Sequence, residues 1–204
     1  MSLSVEYNQK EINVKVLENV LKMLKNRKVI KDITELLESL SEDINNKAYI
    51  EFEISKDIQG ENKSDIEKYS IYLINTKLLS ISLGSPLDEY LINNHSLHKI
   101  VIIKDFNRNL KVFNQINQYK NSELFLETEM MEDITMKTII PKHELLTVEE
   151  KDIILKQYNL NELSIIKVND MMSRYYYAKV NDIFRIERFC KTSGISIVYR
   201  RVAN

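Results

Sequence analysis

The sequence predicts an α/β (α+β) fold in two parts, an N-terminal α/β domain followed by a small mixed α/β domain. In the first part, segments that alternate like strands are interleaved with segments that have the three-and-four spacing of amphipathic helices. Near Pro141 this order gives way to one capped helix and several short strands. No internal repeat or low-complexity segment is found, which excludes solenoids and propellers. We therefore expect domains at residues 1–132 and 133–204.

Two helices are predicted at the start of the chain. Residues 12–24 carry apolar side chains at spacings of three and four, the pattern of an amphipathic helix. A second helix is expected with Asp32 as its N-cap, because Glu35 follows three residues later, as a capping box requires.

Strand patterns come next. Residues 48–55 alternate apolar and charged side chains, which predicts a strand with one solvent-exposed face. Residues 56–68 are polar and include Gly60, so they are expected to form a loop. Two further strands, at residues 69–75 and 78–83, flank a short polar segment and predict a hairpin.

The middle of the chain continues the alternation of helices and strands. Ser85 and Pro86 have the residue types of an N-cap and a first helical position. The continuous apolar run at residues 99–104 predicts a central, buried strand. The other predicted elements are a helix at residues 107–119 and strands at residues 124–127 and 133–140.

The second part opens with a clear helix signal. Thr147 and Glu150 have the spacing of a capping box. Ile153, Ile154, Leu155 and Tyr158 are expected to form the apolar stripe of the helix that follows. Short strands are then predicted at residues 165–168, 183–188 and 195–201.

Charge and cysteine content restrict the function. The net charge is −1, which argues against a chain that binds polyanions over its whole surface. From Met171 onward, however, 7 Lys and Arg stand against 2 Asp and Glu. Cys190 is the single cysteine, so no intramolecular disulfide can form and a reducing compartment is expected. The sequence has neither a signal-peptide pattern at its start nor an apolar run of the ~18–20 residues that span a bilayer.

No catalytic motif was found in the sequence. Three glycines, at positions 60, 84 and 194, cannot form a phosphate-binding loop. His95 and His98 have a spacing that would allow both rings on one helix face, but a metal needs three or four ligands. The favoured interpretation is two solvated histidines at a helix end, and no metal or cofactor is expected.

One enzymatic alternative depends on Glu51 and Glu53. Carboxylates that alternate on a strand hold Mg²⁺ in metal-dependent nucleases. Such sites also need a lysine beside a carboxylate on a neighbouring strand, and Lys104 with Asp105 is the only weak candidate. An exposed strand face explains the same alternation.

A basic and aromatic cluster lies near the C-terminus and leaves three interpretations open. Its members are Arg174, Tyr175, Tyr176, Tyr177, Lys179, Arg185, Arg188, Arg200 and Arg201. Such residues can stack on bases or bind phosphate, as in a free DNA-binding transcription factor. They are also favoured at protein interfaces. In the third interpretation, Tyr175 and Ile186 belong to the core and the arginines are solvated.

The order of motifs from Pro141 to Arg200 resembles a known family. Pro141 and His143 precede the capped helix, which ends in a pattern of Tyr158 and Leu160. Asp170 is followed, after three positions, by Arg174, Tyr175 and Tyr176, and Thr192, Gly194, Tyr199 and Arg200 form a Thr-x-Gly turn and a strand ending in Tyr-Arg. This set resembles the assembly domain of the fifth common subunit of eukaryotic-type DNA-directed RNA polymerases, a family that includes an archaeal counterpart.

The sequence departs from the family pattern at several positions. Met171 replaces a proline after the aspartate, Tyr177 and Asn181 replace glycines, and Phe189 replaces the proline of an Arg-Pro pair. Asn tolerates positive φ better than most residues, so the change at Asn181 is the milder one. The departures indicate a divergent member, consistent with a gene of a large DNA virus.

The resemblance implies a non-catalytic subunit of a multisubunit RNA polymerase. Residues 133–204 would dock on the largest subunit, and residues 1–132, which resemble the family's jaw domain in length and order of elements, would lie near downstream duplex DNA. The expected compartment is the nucleus for a cellular protein, or the host cytoplasm and virion for a viral one. The residues expected to determine structure or docking are Pro141, His143, Arg174, Tyr175, Tyr176 and Arg200.

Overall fold

The computed structural model describes residues 7–57, 64–106, 111–190 and 194–204. The chain divides into two compact units, Met1–Asp133 and Ile134–Asn204. Both units combine helices with a mixed sheet, which confirms the predicted α/β class. Within the described ranges, no helix is both long enough and apolar enough to span a bilayer.

The N-terminal unit is built around a four-stranded sheet with the order β1-β2-β3-β4. β1 is antiparallel to β2, whereas β2, β3 and β4 run parallel to one another. Its elements are α1 (Gln9–Asn26), α2 (Thr34–Ser41), α3 (Asp43–Asn46), β1 (Tyr49–Asp57), β2 (Ser64–Leu78), α4 (Pro86–Asn93), β3 (His98–Phe106), α5 (Lys111–Ile116), β4 (Ser122–Leu126) and α6 (Glu127–Met130).

Three predictions in this unit are confirmed. The amphipathic helix expected at residues 12–24 is α1, and its apolar face is buried; a capping box of Asn8 and Glu11, which was not predicted from the sequence, starts the helix at Gln9. The hydroxyl of Ser85 accepts the amide N–H of Asp88 and caps α4, with Pro86 in its first turn. The apolar run predicted as a central strand is β3, which lies between β2 and β4 in the sheet, and its consecutive residues 99–103 are all buried, so both of its faces are covered.

The predicted hairpin at residues 69–83 is wrong. One long strand, β2, runs to Leu78 and pairs with β1 on one side and β3 on the other. The polar segment between Ile74 and Lys77 is an irregularity in the β2–β3 pairing and not a turn. Leu79 and Leu83, assigned to the second strand, are exposed and lie beyond the strand.

Other boundaries also differ from the prediction. Asp32 does not act as the N-cap of α2: that position is Ile33, and the carboxylate of Asp32 accepts the N–H groups of Ile33 and Thr34 in a turn before the helix. The predicted loop at residues 56–68 is largely strand, except residues 58–63, which lie outside the described ranges. The predicted strand at residues 133–140 is instead a short 3₁₀ helix and turns. The helix predicted from residue 107 is described only as α5, and residues 107–110 are outside the described part.

The C-terminal unit has a second four-stranded sheet, with the order β5-β7-β8-β6. β7 is antiparallel to both β5 and β8, and β6 is parallel to β8. Its elements are a 3₁₀ helix (Ile134–Met136), β5 (Lys142–Leu145), α7 (Val148–Leu155), a 3₁₀ helix (Leu160–Glu162), β6 (Ser164–Lys167), α8 (Met171–Tyr175), β7 (Ile183–Cys190) and β8 (Gly194–Ala203).

One face of this sheet forms the core of the unit. Phe184 and Ile186 of β7 and Val202 of β8 pack against Met172 of α8 and Ala178. The opposite face carries several exposed apolar side chains, so the two faces of the sheet differ in burial.

Helix α7 has the predicted start but not the predicted buried stripe. Thr147 and Glu150 form the capping box, with Thr147 N–H donating to the Glu150 carboxylate at 2.9 Å. None of its residues is buried, and Ile153 and Tyr158 are exposed. Tyr158 also follows the end of the helix, so these apolar positions do not form one face turned toward the core.

Candidate functional site

The segment that enters the C-terminal sheet is fixed by Pro141 and His143. The Nδ1–H of His143 donates to the carbonyl oxygen of Pro141 at 2.7 Å. The imidazole meets the ring of Phe184 edge to face, with 5.8 Å between the ring centroids. Burial lowers the pKa of His143, and the guanidinium groups of Arg200 and Arg188 act in the same direction. At neutral pH the imidazole is therefore uncharged and serves as a hydrogen-bonded packing group.

Two tyrosines extend this aromatic contact. The carboxylate of Asp170 accepts the amide N–H of Met172 at 2.9 Å, and so starts the helix that carries Tyr175. Tyr175 is buried, and its ring lies 5.2 Å from that of Tyr176, centroid to centroid. Tyr176 in turn is edge to face with Phe184. His143, Phe184, Tyr176 and Tyr175 thus form one continuous aromatic row.

The two candidate arginines lie in different surroundings. Arg174 is on α8, with Nη2 3.4 Å from the sulfur of Met171. Arg200 is on β8, opposite Phe184 in the strand register. The Nε of Arg200 is buried and has no hydrogen-bond partner among the described residues. The structure therefore brings Pro141, His143, Tyr175, Tyr176 and Arg200 to the region around Phe184, while Arg174 is part of the short helix beside it.

A cavity of about 350 Å³ opens beside this row. Pro141, His143, Met172 and Tyr176 line one part of it, and residues 135–138 line another. Its lining includes one imidazole, that of His143, and two lysines, Lys137 and Lys142, but no carboxylate. Its residues offer aromatic and aliphatic surface, which fits packing better than chemistry.

The turn after α8 keeps a left-handed backbone at both positions where the resembled family has glycine. Tyr177 has φ of 52° and Asn181 has φ of 73°. The Nζ of Lys179 lies 3.2 Å from the centroid of the Tyr177 ring, in a cation–π contact. The amide N–H of Lys179 also donates to the carboxylate of Asp182 at 2.7 Å. These contacts stabilise a turn in which Tyr177 and Asn181 adopt positive φ without the conformational freedom that glycine would have.

The second face of the C-terminal sheet was not identified from the sequence. Phe189, Ile195, Ile197 and Ile165 lie on it with exposures of 81%, 70%, 46% and 52%. Charged side chains continue the same face, with Lys142 Nζ 3.4 Å from a carboxylate oxygen of Glu187 and Arg185 within 4 Å of Glu144 and Glu187. The signal was present in the alternation of Ile195, Ile197, Tyr199 and Arg201, which marks one side of a strand. Thr192 of the predicted motif lies outside the described residues.

The residues of the nuclease alternative do not converge. Glu53 pairs with Lys68 of the adjacent strand at 2.7 Å, and both side chains are 57% exposed. Lys104 and Asp105 are on β3, which β2 separates from the strand that carries Glu51. Within the ranges that the structure describes, no group of three His, Cys, Asp or Glu side chains could hold a metal ion.

The interpretation of His95 and His98 as two solvated histidines is wrong for His98. His95 is exposed in the turn after α4, but His98 begins β3 and its Nε2 lies 2.5 Å from the buried carboxylate of Glu123. The ring of His98 is also stacked on that of Tyr69 in β2, with 4.8 Å between the ring centroids, and is thereby held against the sheet. Its partner, 25 residues away, could not be inferred from a spacing of three.

Comparison with known proteins shows similarity to one family. Residues 132–202 match the model of the RNA polymerase Rpb5 C-terminal domain. The chain is 32% identical to the DNA-directed RNA polymerase subunit 5 of Acanthamoeba polyphaga mimivirus over 136 residues, which cover 66% of this chain and 65% of that one. It is 37% identical to subunit Rpo5 of Methanocaldococcus jannaschii over 71 residues, 34% of this chain and 91% of the archaeal one.

Cellular eukaryotic relatives match over a shorter region. Identity is 39% over 80 residues with the rpabc1 subunit of RNA polymerases I, II and III from Dictyostelium discoideum, covering 38% of this chain and 41% of that one. The chain therefore spans less than two thirds of the length of the first curated relatives that it matches.

Proposed function

Because this chain belongs to the Rpb5 family of DNA-directed RNA polymerase subunits, we propose that it is a non-catalytic subunit of a multisubunit RNA polymerase. Residues 133–204 form the assembly domain, which docks on the largest subunit. Residues 1–132 form a jaw-like domain near downstream duplex DNA. Two matches carry the proposal: residues 132–202 match the Rpb5 C-terminal domain, and 71 residues of this chain cover 91% of an archaeal polymerase subunit.

The surface of the C-terminal unit supports docking to another protein. Among the described residues, fifteen large apolar side chains are exposed, and ten of them lie in this unit, which is the smaller of the two. Four of these ten, Ile165, Phe189, Ile195 and Ile197, share one face of the sheet, and a group of exposed apolar side chains on one face is typical of a surface that a partner covers. The aromatic row around Phe184 packs against the sheet and stabilises the strands that carry this surface.

The charge of the N-terminal region argues against strong DNA binding by this part of the chain. Residues 1–140 carry 18 Lys and Arg against 22 Asp and Glu, so the region has no net attraction for phosphate. We therefore expect few and local phosphate contacts, made only when the assembled polymerase holds the duplex nearby. A free DNA-binding transcription factor would need a basic surface, and residues 1–140 do not supply one.

The viral setting is favoured by the extent of the matches. The match to the mimivirus subunit covers 66% of the chain, whereas the match to the Dictyostelium subunit covers 38%. A polymerase of a large DNA virus would place the protein in the host cytoplasm and the virion. A cellular member would be nuclear.

Co-purification tests the proposal. A tagged full-length chain, expressed together with the largest polymerase subunit of the same genome, is expected to recover that subunit in a 1:1 ratio. Recovery of the 24.1 kDa chain alone, without the largest subunit, would overturn the proposal.

The two alternatives give different results with the purified chain. A nuclease would cleave DNA in Mg²⁺, and Glu51→Gln or Glu53→Gln would abolish the cleavage. A free transcription factor would bind duplex DNA at low salt and slow its migration in a gel, and this binding would weaken as the salt concentration is raised. We expect neither cleavage nor retardation, and either result would favour its alternative over a polymerase subunit.

A further inference from the structure

The β7–β8 hairpin extends beyond both of its neighbouring strands. β5 pairs only with residues 184–187 of β7, and β6 pairs only with residues 200–203 of β8. The part of β8 before Arg200 therefore has no described strand on its outer side. A two-stranded ribbon that projects in this way has little stability of its own in water.

The hydrogen-bond register shows which backbone groups of β8 point outward. The N–H of Val202 donates to the carbonyl of Asp182, and the carbonyl of Val202 accepts from Asn181, so Val202 is directed toward β7. Because successive residues of an antiparallel strand alternate in direction and the β7–β8 register has no break, Ser196 and Val198 share this direction. The N–H and C=O groups of Ile195 and Ile197 are therefore directed away from β7, along the open edge.

Apolar side chains accompany these open backbone groups. Phe189 is opposite Ile195 in the register, so both side chains lie on the same face of the ribbon. They are 81% and 70% exposed, and Ile197 on the same face is 46% exposed. An exposed strand edge with apolar side chains and no lysine or proline to block pairing would promote aggregation if nothing covered it.

The charge around this edge selects the kind of partner. Arg200 and Arg201 follow directly on β8, and Arg188 is on the facing strand. Together with Arg185, the described strands β7 and β8 carry four arginines against one carboxylate, that of Glu187 opposite Ile197. A segment that lies along β8 and carries carboxylates would complement this positive charge. A second copy of this chain would instead bring the same basic edge against itself, which disfavours a homodimer through this strand.

We infer that an extended, apolar and acidic segment of the largest polymerase subunit adds a strand to the outer edge of β8, in line with β6, and covers Phe189, Ile195 and Ile197. The added strand satisfies the outward backbone groups of Ile195 and Ile197, and its alternate side chains pack on the exposed face. The inference rests on the proposed function and specifies the surface and the mode of docking.

Amide hydrogen exchange tests the inference without any substitution. In the free full-length chain, the amides of Ile195 and Ile197 are expected to exchange rapidly, and those of Ser196 and Val198 slowly, because only the latter donate to β7. In the complex with the largest subunit, all four are expected to be protected. Complex formation without added protection of Ile195 and Ile197 would overturn the inference and leave the proposed function intact.

Substitutions on the edge provide a second measurement. Ile197→Asp and Ile195→Asp remove apolar surface and place a negative charge before an acidic partner, so recovery of the largest subunit should fall at least about tenfold. Val180→Asp is the matched control, because Val180 is in the same unit and 44% exposed, compared with 46% for Ile197. Its recovery should remain within about twofold of the unchanged chain.

The outcomes separate the two proposals. If the unchanged chain does not recover the largest subunit, the proposed function fails. If it does, and the two edge variants recover as much as Val180→Asp, only the inference fails. Protection of the two amides in the free chain together with a dimer in solution would identify a second copy as the occupant and would also overturn the inference.

Discussion

Arg27, which follows α1, and Glu123, in β4, form a buried bidentate ion pair in the N-terminal unit. Both guanidinium Nη atoms donate to the carboxylate at 2.7 Å, and the two side chains are only 6% and 5% exposed. His98 is a further partner of the carboxylate, and its ring is stacked 4.8 Å from that of Tyr69. The C-terminal end of α1 is thus joined to the sheet by charged groups that are removed from water.

We predict that Arg27→Met destabilises the protein by about 3–5 kcal/mol, because it leaves the buried carboxylate of Glu123 without its main partner. Lys47→Met is the control, since Lys47 pairs with Asp43 at 2.7 Å but is 60% exposed, and such surface pairs contribute at most about 1 kcal/mol. Urea unfolding followed by circular dichroism measures both values. If the two variants lost the same free energy of unfolding, the buried pair would contribute no more to stability than a surface pair.

The same carboxylate predicts a dependence of stability on pH. Burial raises the pKa of Glu123, but Arg27 and His98 lower it more, to about 2 from an ordinary value of 4.5. The folded pKa is below the unfolded one, so this contribution is complete above about pH 4.5 and is lost as pH falls through 2. Its full size is on the order of 3 kcal/mol.

Unfolding free energies measured at intervals from about pH 6 to about pH 2 test this dependence. Glu123→Gln should lower stability at about pH 6 and flatten the decline at acidic pH. Glu53→Gln, at a carboxylate that is 57% exposed and paired with Lys68, should leave the acidic decline nearly unchanged. If Glu123→Gln declined as steeply as the unchanged protein, another group would be responsible for the acid sensitivity.

Local signals predicted much of the fold, whereas long-range pairing could not be predicted. The run at residues 99–104 identified the central strand because an apolar segment of that length must be covered on both faces. The prediction of a hairpin at residues 69–83 was wrong because a short polar segment between two strand patterns can indicate either a turn or an irregularity in the pairing of one long strand. Arg27 and Glu123 are 96 residues apart, and no periodicity connects them.

The candidate site was predicted in part. The motif that contains Tyr175 and Tyr176 identified residues that the structure brings beside His143 and Phe184. The five residues of α8 are too few to show helical spacing, so the helix itself was missed. The open edge of β8 depends on the lengths of β5 and β6, and strand lengths cannot be obtained from the alternation of β8 alone.

Met171 occupies a position where proline would fit. It is the first residue of α8, directly after the cap Asp170, whose φ of −60° and ψ of 145° are compatible with a following proline. We predict that Met171→Pro stabilises the protein by about 0.4–1 kcal/mol, because it restricts the unfolded chain. Arg174→Pro should instead cost about 3 kcal/mol, because the Arg174 amide donates to the Asp170 carbonyl at 2.9 Å.

Thermal unfolding of the two proline variants measures the difference. A fall in melting temperature for Met171→Pro would show that the contact between the Met171 sulfur and Arg174, at 3.4 Å, contributes more than the restriction of the unfolded chain. Recovery of the largest subunit should be unchanged for Met171→Pro, because α8 packs on the core face of the sheet and the exposed side chains of Phe189, Ile195 and Ile197 lie on the opposite face.

The left-handed backbone at Tyr177 predicts a reversal of the usual order of glycine and alanine. Tyr177→Gly and Tyr177→Ala both lose the contact between the ring and Lys179, so their difference reports the backbone alone. At φ of 52°, alanine has a steric cost of about 1–2 kcal/mol that glycine lacks. Glycine also loses more entropy on folding, by about 0.5–1 kcal/mol. We therefore expect the glycine variant to be the more stable by about 0.5–1 kcal/mol.

The matched control is Lys156, the residue that ends α7 with φ of −72°. There the alanine variant should be more stable than the glycine variant, because only the entropic term applies. Chemical denaturation of the four variants gives the two differences. If alanine were the more stable residue at both positions, the turn at Tyr177 would have to relax to negative φ on substitution, and the backbone of the turn after α8 would then depend on the tyrosine ring and its contact with Lys179.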